Sequence, residues 1–242
     1  MGTNLVQIQG LSKTYKSGKR AVDDLSLEIA RGEIYGFIGH NGAGKTTTLK
    51  CMTGILDFDA GVIEIDGVSI QKDPVRCKQM MAYIPDNPDL YENLTGIMYL
   101  NFFADIYNVD QPTREARIEE YAEAFELLPS LGDKISAYSH GMKQKLALLS
   151  AFVHEPTLLV LDEPFVGLDP KASHTLKVLL RSLCDRGGAV FFSTHVLEVA
   201  EKLCDKIAII RDGKLVAHGT TDEVKGDGSL EKIFLELIDD GK

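Results

Sequence analysis

The sequence lacks the cysteine spacing of a metal site. Its four cysteines, Cys51, Cys77, Cys184 and Cys204, stand singly, so no C-x-x-C pair is present. A zinc site built from paired cysteine ligands is therefore excluded. We expect reduced thiols packed in the interior of a cytoplasmic protein, since a disulfide framework is typical of small secreted chains.

Long apolar runs are also missing. No stretch approaches the roughly 18 apolar residues that are needed to cross a bilayer. The segment from Met1 to Gly10 has no basic region followed by an apolar run, so we expect no secretory signal. If the protein acts at a membrane, we expect another chain to provide the spans.

Basic residues are fewer than acidic residues, so the 242 residues carry a net charge of −10. An acidic surface repels phosphate backbones, which disfavours DNA or RNA as the main partner. Apolar residues make up 44% of the chain, enough to bury a core. There is no internal repeat, and the length suits one large domain or a domain with an inserted lobe.

Short apolar runs predict buried strands that alternate with helices. Residues Ile34 to Ile38 form an uninterrupted apolar run, and Val62 to Ile65 alternate before a hairpin-type Asp66-Gly67 turn. This alternation indicates a mostly parallel sheet with helices on both faces, beside N-terminal antiparallel strands. Further segments are predicted as the strands Leu158 to Leu161, Ala189 to Phe192 and Ile207 to Ile210 and the helix Pro170 to Asp185.

The middle of the chain is helical instead. Helices are predicted over Thr95 to Tyr107, with Thr95 as N-cap, over Thr113 to Leu128 and over Met142 to Val153. A short amphipathic helix is predicted over Ser229 to Ile238. We therefore predict one α/β domain over 1-242. Its parts are a core of alternating strands and helices (1-86 and 154-220), an inserted helical subdomain (87-153) and a C-terminal helix (221-242).

A glycine-rich segment follows the first buried strand and fits the pattern G-x-x-x-x-G-K-[ST]. Glycines let successive backbone N–H groups turn toward one anion, and the helix that begins near Gly44 adds its positive end. Lys45 can reach the β- and γ-phosphates, and the Thr46 hydroxyl can bind Mg²⁺. The residues predicted to bind the nucleotide here are Gly39, His40, Asn41, Gly42, Ala43, Gly44, Lys45, Thr46 and Thr47.

A second candidate site is the acidic pair at the end of the predicted strand Leu158 to Leu161. Asp162 is predicted to hold Mg²⁺, directly or through water. Glu163 comes next and is positioned to polarise an attacking water. Alone, two acids after a strand more often mark an ordinary polar turn. Together with the phosphate-binding loop, they indicate the catalytic end of an ATP site.

Three further short features are weak when taken singly. Ser139-His140-Gly141 opens a helix, and its N–H groups could bind a phosphate. A small residue and a glycine at the start of a helix are, however, usually just a helix cap. Gly167-Leu168-Asp169 follows the acidic pair and otherwise reads as a turn. Ser193-Thr194-His195 ends a predicted core strand, where parallel sheets place ligand-binding groups.

The order of these motifs resembles the nucleotide-binding subunit of ABC transporters from about Leu5 to Gly219. The resemblance implies a P-loop NTPase core, ATP and Mg²⁺. It implies that Tyr15 stacks on adenine and that Asp162 and Glu163 serve as Mg²⁺ ligand and general base. It further implies that Ser139 and Gly141 contact ATP on an opposite subunit, that Asp169 communicates across the dimer, and that His195 faces the γ-phosphate.

Two positions depart from the family pattern. Asp86 stands where the family usually has Gln, and its shorter, charged side chain reaches less far, so its contact to Mg²⁺ or the attacking water is predicted to pass through a water molecule or to be lost. It is retained as a candidate catalytic and metal residue. In the signature segment, His140 and Met142 replace the usual Gly and Gln, whereas Ser139 and Gly141 remain. The segment from Ser139 to Lys145 is similar to ATPases of export-type, ABC-2-like systems.

The resemblance implies a motor on the cytoplasmic face of a membrane. Two copies, or this chain and a related ATPase subunit, would close head to tail over ATP and drive a polytopic membrane subunit carried on a separate chain. No nucleic-acid partner is expected. The alternatives are a soluble ATPase of the same family in cofactor assembly or in nucleic-acid maintenance. Co-purification with a polytopic partner distinguishes transport from both.

Overall fold

The computed structural model describes residues 4–239, in which two β-sheets pack with nine α-helices. Because the strands alternate with helices along the chain, the fold is of the α/β class, as predicted. The strands are β1 (Asn4–Thr14), β2 (Arg20–Ala30), β3 (Ile34–Ile38), β4 (Ala60–Ile65), β5 (Val68–Ser69), β6 (Met81–Ile84), β7 (Leu158–Asp162), β8 (Ala189–Thr194), β9 (Lys206–Arg211) and β10 (Lys214–Thr220). The helices are α1 (Lys45–Met52), α2 (Pro74–Met80), α3 (Gly96–Ile106), α4 (Gln111–Ala124), α5 (His140–Val153), α6 (Pro170–Asp185), α7 (Leu197–Leu203), α8 (Thr221–Lys225) and α9 (Leu230–Asp239).

The larger sheet has the strand order β10-β9-β3-β8-β7-β6. Its strands run parallel except for β10, which pairs antiparallel with β9. Every residue of β3, β7 and β8 is buried, which is why these strands read as continuous apolar runs in the sequence. The carboxyl ends of these three strands meet at one edge of the sheet, the position where open α/β sheets bind ligands.

The smaller sheet is antiparallel, with the strand order β2-β1-β4-β5. The predicted Val62–Ile65 strand and the turn after it are confirmed as β4 and the β4–β5 hairpin. N-terminal antiparallel strands were predicted, but the long hairpin of β1 and β2 was not located. Register shifts interrupt the pairing of these two strands, for example between Ile8 and Leu11, so the apolar alternation is broken and no continuous period of two is visible.

Helices α3, α4 and α5 lie between β6 and β7, in the stretch predicted to be helical. Thr95 caps α3, as expected, by accepting the backbone N–H of Met98. The predicted Thr113–Leu128 helix was misplaced at both ends. It begins at Gln111 because Asp110 accepts the N–H of Thr113, and it ends at Ala124 before the left-handed residue Glu126.

Two apolar cores flank the larger sheet. One contains the inner faces of α3 to α6 against the sheet, with Phe152, Leu176 and Phe192 fully or almost fully buried. The other joins the antiparallel sheet to α1 and the opposite sheet face through Phe37 and Phe191. The predicted tail helix is confirmed as α9, and residues 240–242 of the predicted C-terminal segment lie outside the described part of the chain.

The four cysteines are buried and form no disulfide. Burial raises the pKa of the Cys51 and Cys184 thiols to about 12, which keeps them protonated and unreactive at neutral pH. The expectation of packed, reduced thiols is confirmed. Among residues 4–239, no helix combines the length and the apolar character needed to span a membrane.

Candidate nucleotide site

A cavity of about 210 Å³ opens at the carboxyl ends of β3 and β7. It is bounded by the loop between β3 and α1, the β1–β2 hairpin and the acidic pair after β7. Eleven of the predicted site residues meet in it. The residues that line the cavity are Tyr15, Lys19, Ala21, His40, Asn41, Gly42, Gly44, Lys45, Thr46, Thr47, Asp86, Asp162 and Glu163.

The loop between β3 and α1 is built around close backbone contacts. A Cβ atom on Gly39 would lie 2.6 Å from the Ile210 carbonyl oxygen and 3.1 Å from the Ala43 side chain. Gly44 has φ +116° and precedes α1 without any side-chain cap, so the first N–H groups of α1 are free to meet an anion. Gly39 and Ala43 do not line the cavity themselves, and their close packing determines the shape of the loop.

Lys45 is the first residue of α1, directly after this loop. Its side chain is nearly buried, and Nζ donates to the Gly39 carbonyl oxygen at 2.6 Å. The same Nζ lies 3.5 Å from Oε1 of Glu163. A buried ammonium held mainly by one backbone carbonyl has donors to spare for phosphate oxygens.

The Thr46 and Asp162 side chains meet at the inner end of the cavity. The Thr46 hydroxyl donates to Oδ2 of Asp162 at 2.7 Å, and the Ser193 hydroxyl donates to Oδ1 of the same carboxylate. A hydroxyl and a buried carboxylate are the hard oxygen donors that Mg²⁺ selects. Within the described residues, no cluster of three or more His, Cys, Asp or Glu side chains is arranged to hold a metal ion.

Glu163 is nearly buried at the edge of the same cavity, and its backbone is left-handed with φ +48°. Its Oε1 lies 3.0 Å from Nδ1 of His195, and its Oε2 accepts the His195 backbone N–H at 3.2 Å. Oε1 thus faces both Lys45 Nζ and His195 Nδ1, although neither contact is a well-aligned hydrogen bond. A nearly buried carboxylate oxygen in this setting can still accept a hydrogen bond from a further donor.

Asp86 follows β6 and lines the cavity, whereas Tyr83 lies on β6 itself and does not line it. Asp86 is exposed, and with the buried Asp162 and Glu163 it brings the number of carboxylates in the cavity lining to three. Burial, followed by the charges of Asp162 and Asp86, raises the pKa of the Tyr83 phenol. The phenol is therefore a neutral donor, and its buried oxygen has no protein partner.

Tyr15 stands at the outer end, on the turn between β1 and β2. Its hydroxyl is 3.0 Å from Oγ1 of Thr47, which ties the hairpin to α1. Lys19 closes the same turn, since its carbonyl oxygen accepts the Tyr15 N–H, and its side chain lines the cavity. Lys19 and Ala21 were not predicted as site residues, because no local sequence pattern places them near the phosphate loop.

Ser139, Gly141 and Asp169 do not line this cavity. Ser139 caps α5 by accepting the Met142 N–H, and a Cβ on Gly141 would lie 3.2 Å from the Gly167 carbonyl oxygen. Asp169 caps α6 through the Ala172 N–H and lies 2.9 Å from Lys145 Nζ. These contacts lower the pKa of the Asp169 carboxyl, the Ala172 N–H first and Lys145 second. The three residues thus form a second polar surface, separate from the cavity.

Comparisons with known proteins agree with this geometry. Residues 22–166 match the family model described as ABC transporter. The chain is 34% identical to the ABC-type transporter ATP-binding protein EcsA of Bacillus subtilis, covering 97% of this chain and 96% of that protein. It is 33% identical to the daunorubicin resistance ATP-binding protein DrrA3 of Streptomyces coeruleorubidus, covering 100% of this chain and 76% of the relative.

A solved structure of the ATP-binding subunit of an ABC transporter has the same fold. It superposes with a TM-score of 0.93 at 35% sequence identity, covering 97% of this chain and 99% of the other. The predicted P-loop NTPase core, with its antiparallel N-terminal sheet, is thereby confirmed.

Proposed function

The chain belongs to the ABC transporter family of ATP-binding proteins, which are ATPases coupled to transport, and we propose that it drives an exporter through membrane subunits on separate chains. The observation that carries the proposal is the meeting of Lys45, Thr46, Asp162 and Glu163 in one cavity. The resistance proteins among its relatives support export as the direction, including the linearmycin resistance ATP-binding protein LnrL of Bacillus subtilis, which is 34% identical over 89% of this chain and 69% of the relative.

The backbone N–H groups of residues 39–46 and the start of α1 bind the phosphates, and Lys45 exchanges its Gly39 carbonyl partner for β- and γ-phosphate oxygens. Thr46 and Asp162 would hold Mg²⁺, whose chemistry there would be to neutralise charge on the phosphate oxygens. Glu163 accepts a hydrogen bond from the attacking water, and His195 fixes the Glu163 carboxylate from the other side.

Ser139 and Gly141 complete the site from a second subunit. In one chain they lie outside the cavity, so a two-fold, head-to-tail pair would bring each signature segment to the partner's ATP. The pair would be two copies of this chain or this chain and a related ATPase. Closure on ATP and reopening after hydrolysis then form the cycle, because only the closed form has the additional phosphate contacts.

The membrane subunit would dock on an exposed apolar stripe of the helical subdomain, 87–153. Met98, Phe102 and Ile106 are 52%, 42% and 53% exposed and are spaced four residues apart, so they share one face of α3. Tyr91 extends the stripe with its ring edge-on to Phe102.

The stripe begins a few residues after Asp86 along the chain. A membrane subunit docked on it would therefore be coupled to closure of the dimer at the ATP site. The core, 1-86 and 154-220, would then face the cytoplasm, with 221-242 as a C-terminal appendage.

The test of hydrolysis is Glu163→Gln. We expect ATP binding to persist, turnover to fall at least about 100-fold, and an ATP-bound dimer to accumulate. Glu155→Gln is the matched control, since Glu155 has the same left-handed backbone (φ +50°) and does not line the cavity. Hydrolysis by Glu163→Gln at the parental rate would show that another residue activates the water.

The test of transport is co-purification from detergent-solubilised membranes. A polytopic partner should accompany the wild-type chain and be lost with Phe102→Ser. Val178→Ser, at a residue 55% exposed on α6, is the matched control and should keep the partner. A soluble scaffold protein or nucleic acid recovered instead of a membrane protein would favour the alternative functions.

A further inference from the structure

Ser193 connects the two acids of the site although it does not itself line the cavity. It is fully buried on β8, directly opposite Asp162 in the parallel pairing of β7 and β8. Its hydroxyl donates to Oδ1 of Asp162 and accepts the backbone N–H of Glu163 at 3.2 Å. One side chain therefore contacts both the residue assigned to Mg²⁺ and the residue assigned as base.

The contact to Glu163 acts on a strained backbone. A left-handed φ of +48° is unfavourable for a residue with a Cβ and persists only where its surroundings hold it. Here the Glu163 N–H is shared between the Ser193 carbonyl oxygen, at 3.1 Å, and the Ser193 hydroxyl. The strained turn aims the Glu163 carboxylate back toward Lys45 and His195.

The contact to Asp162 selects which carboxylate oxygen faces the cavity. With Oδ1 accepting from Ser193, Oδ2 faces Thr46, the other residue assigned to the metal. A buried carboxylate without this donor would be free to rotate or would carry an unpaired oxygen.

We infer that Ser193 is a positioning residue that sets the metal-binding oxygen of Asp162 and the left-handed turn of Glu163 together. The inference rests on the proposed ATPase function. Since the hydroxyl acts through two other residues, its loss should leave the phosphate loop intact and impair both Mg²⁺ binding and water activation.

The experiment compares the purified full-length chain with Ser193→Ala and Ser193→Thr. Ser150→Ala is the matched control, because Ser150 is also buried and its hydroxyl donates to a backbone carbonyl in α5, away from the cavity. Each protein is measured for binding of a fluorescent ATP analogue in EDTA and in Mg²⁺, for kcat and KM, for the Mg²⁺ concentration of half-maximal activity, and for thermal stability.

We expect Ser193→Ala to bind the analogue in EDTA like the wild type. Its gain in affinity on adding Mg²⁺ should shrink, its half-maximal Mg²⁺ concentration should rise about tenfold, and kcat should fall at least tenfold with KM little changed. Ser193→Thr keeps a hydroxyl and should recover most of both losses. Ser150→Ala should change thermal stability alone.

Wild-type kcat and Mg²⁺ dependence in Ser193→Ala would overturn the inference. An equal loss of binding in EDTA and in Mg²⁺ would also overturn it, since that pattern reports general damage. If Ser193→Ala does not fold, Ser193→Thr decides, because a folded variant that keeps the hydroxyl and still loses kcat and Mg²⁺ dependence contradicts the role. Absence of Mg²⁺-dependent hydrolysis in the wild type would instead refute the proposed function.

Discussion

Replacing Gly44 by alanine should disable the phosphate loop. The added Cβ would lie 2.3 Å from the Ala21 carbonyl oxygen, whereas ordinary contacts begin at 3.4 Å, so the loop or β2 must move by about 1 Å. The backbone at φ +116° adds a penalty of about 1–2 kcal/mol for any residue with a Cβ. The Gly44 carbonyl also accepts the N–H and the hydroxyl of Thr48, so α1 must follow the displacement.

Gly67→Ala separates these two effects. Gly67 has φ +72°, and a Cβ there would meet nothing within 4 Å, so only the backbone penalty applies. A loss of about 1–2 kcal/mol lowers the melting temperature by about 2–8 °C in a chain of this size. We expect that shift with unchanged ATP affinity for Gly67→Ala. Gly44→Ala should melt lower still.

The decisive assay is equilibrium ATP binding, followed by calorimetry or a fluorescent analogue. A displacement of about 1 Å in a site that must place several N–H donors on one anion should weaken binding at least 100-fold in Gly44→Ala. If Gly44→Ala binds ATP like the wild type, the close approach of the loop to Ala21 has no functional role, and our account of the loop is wrong.

Three further predictions concern the rest of the site. Asp86→Gln removes one of the three carboxylates that line the cavity and should raise the Mg²⁺ concentration of half-maximal hydrolysis, whereas an unchanged Mg²⁺ titration would exclude a contribution of Asp86 to metal binding. Tyr15→Ala should weaken ATP binding about tenfold by loss of stacking, and Tyr15→Phe should bind like the wild type, since it loses only the hydroxyl contact to Thr47. Because the folded pKa of Asp169 is lowered, its stabilising charge is present above the ordinary value of 3.8 and is lost as the pH falls through the lowered value. Melting curves of wild type and Asp169→Asn should therefore differ at pH 7 and converge at acid pH, and a constant difference would contradict this.

Features that depend on neighbours along the chain were predicted well. The cap at Thr95 and the extent of α6 follow from hydrogen bonds that join residues three apart and from helical periodicity. The fully buried strands β3 and β7 follow from uninterrupted apolar runs. The phosphate loop follows from glycine spacing, because one short segment supplies all its N–H donors.

Contacts between segments that are distant along the chain could not be predicted from the sequence. The turn between β1 and β2 brings Tyr15 and Lys19 to the phosphate loop. The pairing of these two strands is irregular, so no periodic pattern in the sequence predicts the hairpin. The link from Ser193 to Asp162 arises from the register of β7 against β8, which side-chain packing across the sheet selects.

From the sequence we could predict the residues of an ATP site: a loop of glycines, a lysine, a threonine and two acids at the end of a buried strand. How these residues are held together follows only from the fold. Parallel pairing aligns the carboxyl ends of β3, β7 and β8, which brings Lys45, Glu163 and His195 within contact distance. It also leaves Ser139 outside the cavity, since α5 begins on a different surface. The physical reason is that motif chemistry is local, whereas strand register and helix packing are set by burial across the whole fold.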